Sequence, residues 1–173
     1  MDAYQCLTGR LDVRDFDSKP VPTEVKLKVL EAARLSATGM NTQHWRFILI
    51  EKPDNLRKLA EDSTTGKWVK GANFAVIVLT QPKYGFHLID AGRAGENMQI
   101  AAWNFGIASC VFTGVNVEAL RKDFKIPKEL APSLIVGFGY PARRIVGRKN
   151  RNPIREVAFL ESYGQDIQSL GRT

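Results

Sequence analysis

The sequence predicts an α+β fold in which helices pack on a small sheet. Four short apolar runs, each bounded by Gly, Pro or Asn, read as strands, and the segments between them repeat their apolar residues at helical spacing. A chain of 173 residues is long enough for one hydrophobic core and short for two. With 44% hydrophobic and 25% charged residues it has the composition of a soluble globular protein, so a single domain over residues 1–173 is expected.

The first helix includes Ala3 to Thr8. A second runs from about Thr23 to Leu35, with Pro22 before it, Thr23 as N-cap, Glu24 in the first turn, and Val25, Val29, Ala32 and Ala33 on one face. Ser36 to Thr42 breaks the helical pattern with Gly39 and Asn41 and leads into Trp45 to Glu51, whose Phe47, Ile48, Leu49 and Ile50 read as a buried strand. Lys52, Pro53 and Asp54 turn the chain into a short helix carrying Leu56, Leu59 and Ala60, and Phe74 to Thr80 is the second strand. Phe86 to Phe105 is the longest helical pattern, a central helix of roughly 30 Å. Its apolar positions include Ile89, Ala91, Ala94, Met98, Ala101, Ala102 and Phe105, and Gly92, Ala94 and Gly95 offer small surfaces. Ala108 to Thr113 gives a third strand, Asn116 caps a short helix through Phe124, and Ser133 to Tyr140 gives a fourth strand. After Pro141 the chain is basic and poorly periodic, as a surface arm would be, and Val157 to Leu170 reads as either helix or extended arm.

The net charge of +7 points to an anionic partner: nucleic acid, a phosphorylated cofactor or acidic substrates. The charges lie at two separated ends, Arg10 and Arg14 at one, and Arg143, Arg144, Arg148, Lys149, Arg151 and Arg155 at the other, which could converge on one anion. The N-terminal segment carries Asp2 and no apolar run, and no stretch is long enough to span a bilayer, so a cytoplasmic protein without a membrane partner is expected. Cys6 and Cys110 make no metal-binding spacing and read as buried or idle thiols, and His44 and His87 complete no metal cluster.

Two segments carry chemistry. In Arg10-Leu11-Asp12-Val13-Arg14-Asp15-Phe16, two guanidinium groups four residues apart suit a phosphate, the alternative being ion pairs with Asp12, Asp15 and Asp17. In Ser36-Ala37-Thr38-Gly39-Met40-Asn41-Thr42-Gln43-His44-Trp45-Arg46-Phe47, small residues permit close backbone approach to a planar heterocycle, and amides donate and accept at its edges. An ordinary helix-to-strand loop is the alternative there.

Together these segments resemble the nitroreductase family. Arg10, Val13, Arg14 and Phe16 match its N-terminal pattern Arg-Arg-Ser-Val-Arg-x-Phe, and Asn41, Gln43, Trp45, Arg46 and Phe47 match Ala-Pro-Ser-x-x-Asn-x-Gln-Pro-Trp-Arg-Phe in register. Asp90 to Gln99 and Ala101 to Cys110 are similar to the family's central helix, Val136-Gly137-Phe138-Gly139-Tyr140-Pro141 to its penultimate strand and turn, and Lys149-Asn150-Arg151 to a basic phosphate-binding pair. Leu11 stands where the family has a second arginine, Asp12 where it has a serine, and Ala37 and His44 where it has prolines.

The resemblance implies a mostly antiparallel central sheet, a C-terminal arm reaching a dimer partner, and FMN bound in the interface of a homodimer. It implies that Arg10, Leu11, Asp12, Arg14, Lys149 and Arg151 lie around the FMN phosphate. Thr38, Gly39, Met40, Asn41 and Gln43 would meet the flavin ring or ribityl chain, largely from the other subunit, and Thr113 and Gly114 would line the ring. Asp12 is expected to turn toward Arg10 or Arg14, since a carboxylate beside a phosphate is repulsive. The implied activity is electron transfer from NADH or NADPH through flavin N5 to a small-molecule acceptor, with no side chain as acid, base or nucleophile. Trp68, Tyr84 and Phe86 could cover the flavin or simply pack in the core. A flavin carrier or sensor is the rival on the same fold. A nucleic-acid-binding protein is the rival from charge alone, without a recognisable binding motif.

Overall fold

In a computed structural model, which describes residues 1–170, the run Phe74–Thr80 forms strand β2 and is buried at every position. Successive side chains of a strand point to opposite faces. Accordingly, Phe74, Val76 and Val78 join one hydrophobic cluster with Val25, Val29, Ala94 and Met98. Ala75, Ile77 and Leu79 join a second with Leu56, Leu59, Leu120 and Ile135. A sheet covered on both faces gives its inner strands a continuous apolar sequence in place of alternation.

The other strands are β1 (Arg46–Ile50), β3 (Ala108–Phe112) and β4 (Ala131–Gly139), in the order β1-β2-β4-β3 and antiparallel throughout. The first cluster lies beneath helices α2 (Thr23–Arg34) and α4 (His87–Asn104), and the second beneath α3 (Pro53–Glu61) and α5 (Val117–Phe124). Helix α1 (Ala3–Gly9) opens with a capping box in which Asp2 accepts from the backbone of Gln5 and the Gln5 side chain accepts from Asp2 N–H.

Several expectations hold closely. β2 has its expected bounds, and Asn116 caps α5 through the N–H of Ala119 at 3.2 Å. Cys6 and Cys110 are free and buried.

Others are corrected. Pro22, not Thr23, is the N-cap of α2: its carbonyl accepts from the N–H groups of Val25 and Lys26, and no side chain caps this end. The first strand is half-buried, because it lies at the sheet edge and only Ile50 is fully covered. On α4, Ala91, Ala94, Met98 and Ala102 are buried, whereas Ile89 is 60% exposed and Gly92 faces open space. A 3-10 turn at Lys67–Gly71 was not expected, and it seats Trp68 against Gly137, Phe16 and Phe112.

Residues 142–153 run exposed or half-exposed without helix or strand. The chain then makes the short helix α6 (Ile154–Val157) and doubles back through a bridge between Phe159 and Asp166 into a 3-10 turn at Ile167–Ser169. The tail is therefore a bent arm and neither a continuous helix nor a straight strand.

Candidate flavin site

The two basic ends meet in space. After α1 the chain is stitched to the outer edge of β3, with Asp12 bridged to Ser109 and Val13 N–H donating to the Ser109 carbonyl at 3.0 Å. Phe16 bridges to Pro141, Ala142 N–H donates to the Asp15 carbonyl at 3.1 Å, and Arg143 pairs with Asp15 at 3.3 Å. The Lys149 ammonium donates to the Leu7 carbonyl, which brings the far end of the basic segment back to α1. Leu11, Asp12, Val13, Arg14 and Asp15 thus face Arg143, Arg144, Ile145 and Val146 across an open groove of about 450 Å³.

The arginines at and beside this groove have different occupations, with Arg10 next to its lining and Arg14, Arg143 and Arg144 in it. Arg10 is mostly buried and committed, with one nitrogen 2.7 Å from Asp12 and another 3.2 Å from Glu96 of α4, while its Nε is buried without a hydrogen-bond partner. Arg14, Arg143 and Arg144 are exposed. Asp12 turns to Arg10 as expected, so the carboxylate that replaces a serine is neutralised within its own segment. The thiol of Cys110, on the strand beneath, is pushed above its ordinary range by burial and then by the Asp12 carboxylate, with Arg14 opposing. Arg151 stands apart: it donates to the Asn150 carbonyl and lines a second groove of about 590 Å³ with Asn150, Asn152, Ile154 and Val157.

The loop between α2 and β1 has an unusual backbone. Met40, Asn41 and Gln43 take φ of 51°, 54° and 47°, a left-handed region that side chains other than glycine enter at a cost. Internal hydrogen bonds close it: Asn41 N–H to the Thr38 carbonyl at 3.1 Å, Thr42 N–H to the Gly39 carbonyl at 3.1 Å, and Gln43 N–H to Thr38 Oγ1 at 3.0 Å. Gly39 is required by contact, since a Cβ there would lie 2.6 Å from the Phe86 ring. The side chains of Asn41 and Gln43 are exposed, and Met40 is 81% exposed at the tip.

Gly114, beyond β3, is wedged in the same way. Its carbonyl accepts from Thr64 N–H at 2.9 Å, its N–H donates to Thr65 Oγ1 at 3.2 Å, and a Cβ would meet Thr64 Oγ1 at 2.5 Å. Thr113 beside it is exposed. Helix α4 joins the loop to the basic groove, because Asp90 bonds the loop at Gly39 and Glu96 bonds Arg10. Six residues along a helix separate these attachments by about 9 Å.

The model of the nitroreductase family matches residues 7–81 and 62–140 of this sequence. The chain belongs to the nitroreductase family. A relative from Methanothermobacter thermautotrophicus, named "Putative NADH dehydrogenase/NAD(P)H nitroreductase", is 31% identical over 151 residues, 82% of this chain and 78% of that one. A protein of Bacillus subtilis named FMN reductase (NADPH) is 20% identical over 196 residues, 99% of this chain and 78% of that one. Among solved structures, an FMN-dependent nitroreductase from Clostridium difficile superposes with a TM-score of 0.85 over 92% of this chain and 99% of that chain, at 20% identity, a likeness of fold.

Two buried residues of this nitroreductase-family chain escape a reading by pattern. Asp90 is wholly buried on α4, where its carboxylate accepts from Gly39 N–H at 3.0 Å and lies 3.0 Å from His44 Nε2. Tyr84 and Phe86 pack around the His44 ring with centroids at 5.0 Å and 6.0 Å, so they support the loop from behind. The sequence signal was an acidic residue on the apolar face of a helix, but its partners lie about fifty residues away.

Proposed function

We propose that the chain is a single-domain, cytoplasmic FMN-dependent oxidoreductase that takes reducing equivalents from NADH or NADPH and passes them to a small electrophilic acceptor such as a nitroaromatic or quinone, by ping-pong turnover in a homodimer. The observation that carries the reading is the meeting of the two basic ends at one groove, joined through α4 to a left-handed loop with exposed amides. The names of the relatives, an FMN reductase and an NAD(P)H nitroreductase, agree with it.

The residues present suit the cofactor. Planar guanidinium groups and an ammonium are the donors a phosphate requires, and the unpartnered Nε of Arg10 adds a buried one. Arg10, Arg14 and Lys149 would hold the phosphate, joined by Arg151, which lines a separate groove. Leu11 would pack beside it, and Asp12 would serve mainly to fix Arg10. Asn41, Gln43 and the backbone of Thr38, Gly39 and Met40 would meet the ring or ribityl chain, and Thr113 and Gly114 the ring. When bound, FMN supplies the two-electron chemistry at N5. The chain's task is to orient the ring, keep one face open to donor and acceptor in turn, and hold N–H groups against its polar edge.

Dimerisation is supported by apolar surface left uncovered: Met40 at the loop tip, Leu88 and Ile89 on α4, and Ile154 and Val157 on the arm. The test is the visible spectrum of the purified protein and its anaerobic bleaching by NADH or NADPH. A flavin spectrum that bleaches supports the reading. A flavin that neither nucleotide bleaches makes the protein a carrier or sensor, and a salt-sensitive gel shift without flavin makes it a nucleic-acid-binding protein.

A further inference from the structure

The His44 and Asp90 side chains are 1% and 0% exposed and meet at 3.0 Å between Nε2 and Oδ2. The other ring nitrogen, Nδ1, faces the N–H of Gln81 at 3.3 Å, and since a backbone N–H only donates, Nδ1 accepts. The ring proton therefore sits on Nε2 and points at Asp90. The same Asp90 oxygen accepts from Gly39 N–H at 3.0 Å, and the other accepts from Arg93 at 3.3 Å. Asp90 also lies in the first turn of α4, where the helix dipole favours a carboxylate. Three donors, from Gly39, His44 and Arg93, aim at this buried acid and fix its position.

What it fixes is the entrance to the strained loop. Met40 and Gln43 enter the left-handed region at a cost that Asn41 feels less, and such a conformation persists only where its surroundings over-determine it. Gly39 begins the turn that carries them, and its N–H is held by Asp90. His44 closes the same segment five residues later and is held by the same oxygen. One carboxylate oxygen thus pins both ends of the loop to α4.

We propose that Asp90 and His44 are a pair of positioning residues that preset the loop from Thr38 to Gln43 for the flavin; this rests on the FMN reading above. A proline at position 44, the residue in the pattern this loop resembles, could neither donate to Asp90 nor accept from Gln81.

The test uses FMN titration of the flavin-free protein by fluorescence quenching, amide hydrogen exchange at Gly39, and the ¹⁵N spectrum of the imidazole. His44→Leu removes both hydrogen bonds. His44→Gln keeps them, its amide nitrogen donating to Asp90 and its oxygen accepting from Gln81. The expected result is that His44→Leu speeds exchange at Gly39 and weakens FMN binding, each by about tenfold or more, as loss of a hydrogen bond to a charged group implies. His44→Gln should restore both. Lowered thermal stability in His44→Leu with Gly39 exchange and FMN affinity unchanged would overturn the proposal, as would a wild-type spectrum placing the proton on Nδ1. If the wild type binds no FMN, the functional reading fails, while exchange at Gly39 and the ring tautomer still decide the positioning role. If His44→Leu does not fold, the wild-type tautomer and the behaviour of His44→Gln decide it.

Discussion

Replacing Gly39 by alanine separates a contact requirement from a backbone one. Gly39 is not among the glycines with positive φ, so alanine meets no conformational barrier there. By restricting the unfolded chain it would even stabilise the protein by about 0.4–1 kcal/mol. Against this, the new Cβ would lie 2.6 Å from two carbons of the Phe86 ring and 2.8 Å from a third. Carbon atoms rest at about 3.5–4.0 Å, so the ring must withdraw by about 1 Å. Its retreat is obstructed by Tyr84, stacked on it at 5.5 Å, and by the His44 ring at 6.0 Å. Overpacking of this kind costs about 1–3 kcal/mol. The clash therefore outweighs the entropic gain, leaving a net loss of about 1–2 kcal/mol, or a fall of about 3–6 °C in Tm for a chain of this size. Thermal and urea denaturation of the flavin-free protein measure it, with Phe86→Ala and the double variant completing a cycle. With the ring gone the clash disappears, so Gly39→Ala should cost much less in the Phe86→Ala background. A Tm at or above wild type for Gly39→Ala, or strict additivity in the double variant, would refute the reasoning.

Asp62 is buried with Oδ2 unpartnered, and its carboxyl is raised above the ordinary range by burial, then by Asp123 and Glu61. A raised acid binds its proton more tightly in the folded state, so stability is greatest below the unfolded value of about 4 and falls as pH rises through the folded one. Asp62→Asn should consequently gain about 1 kcal/mol over wild type at pH 7 and nothing near pH 3, read from urea midpoints; a loss at pH 7 would reverse the sign of the argument. Leu59 is fully buried on α3, and Leu59→Ala should lose about 2–5 kcal/mol in equilibrium denaturation. Arg14→Ala should weaken FMN binding by about ten- to a hundredfold, as expected for a charge-assisted contact, while riboflavin, which lacks the phosphate, binds as to wild type. Equal losses for both ligands would place Arg14 away from the phosphate.

The strands were legible because an apolar run such as Phe74–Thr80 is required wherever both faces of a sheet are covered. The same logic misled at Phe47 to Ile50, since an apolar run does not say whether a strand sits centrally or at an edge, and β1 takes the edge. Ile89 counted among the apolar positions of α4, and its face of the helix is open in the single chain. In the site, the approach of Arg14 to Arg143 and Arg144 was foreshadowed by charge at both ends of the sequence, whereas Lys149 returns to the Leu7 carbonyl of α1. The attachment of the loop through Asp90 was not, because it depends on one carboxylate meeting His44 across 46 positions of sequence. The left-handed backbone at Met40 and Gln43 was hidden for a related reason: neither residue type favours it, and it is held by bonds inside the loop together with the loop's attachment to Asp90.

The stitching of Asp12 and Val13 to Ser109 has a consequence for the behaviour of the chain in solution. β3 is an outer strand, and an outer strand left bare is a template onto which another chain can add. The segment that bears Arg10 and Arg14 caps part of that edge, so the same few hydrogen bonds orient cations and blunt self-association. Changes that loosen residues 10–14 are thus expected to appear twice, as a lower affinity at the proposed phosphate site and as a growing tendency to aggregate. An occupied groove, by tightening that segment, would protect the protein from its own sheet.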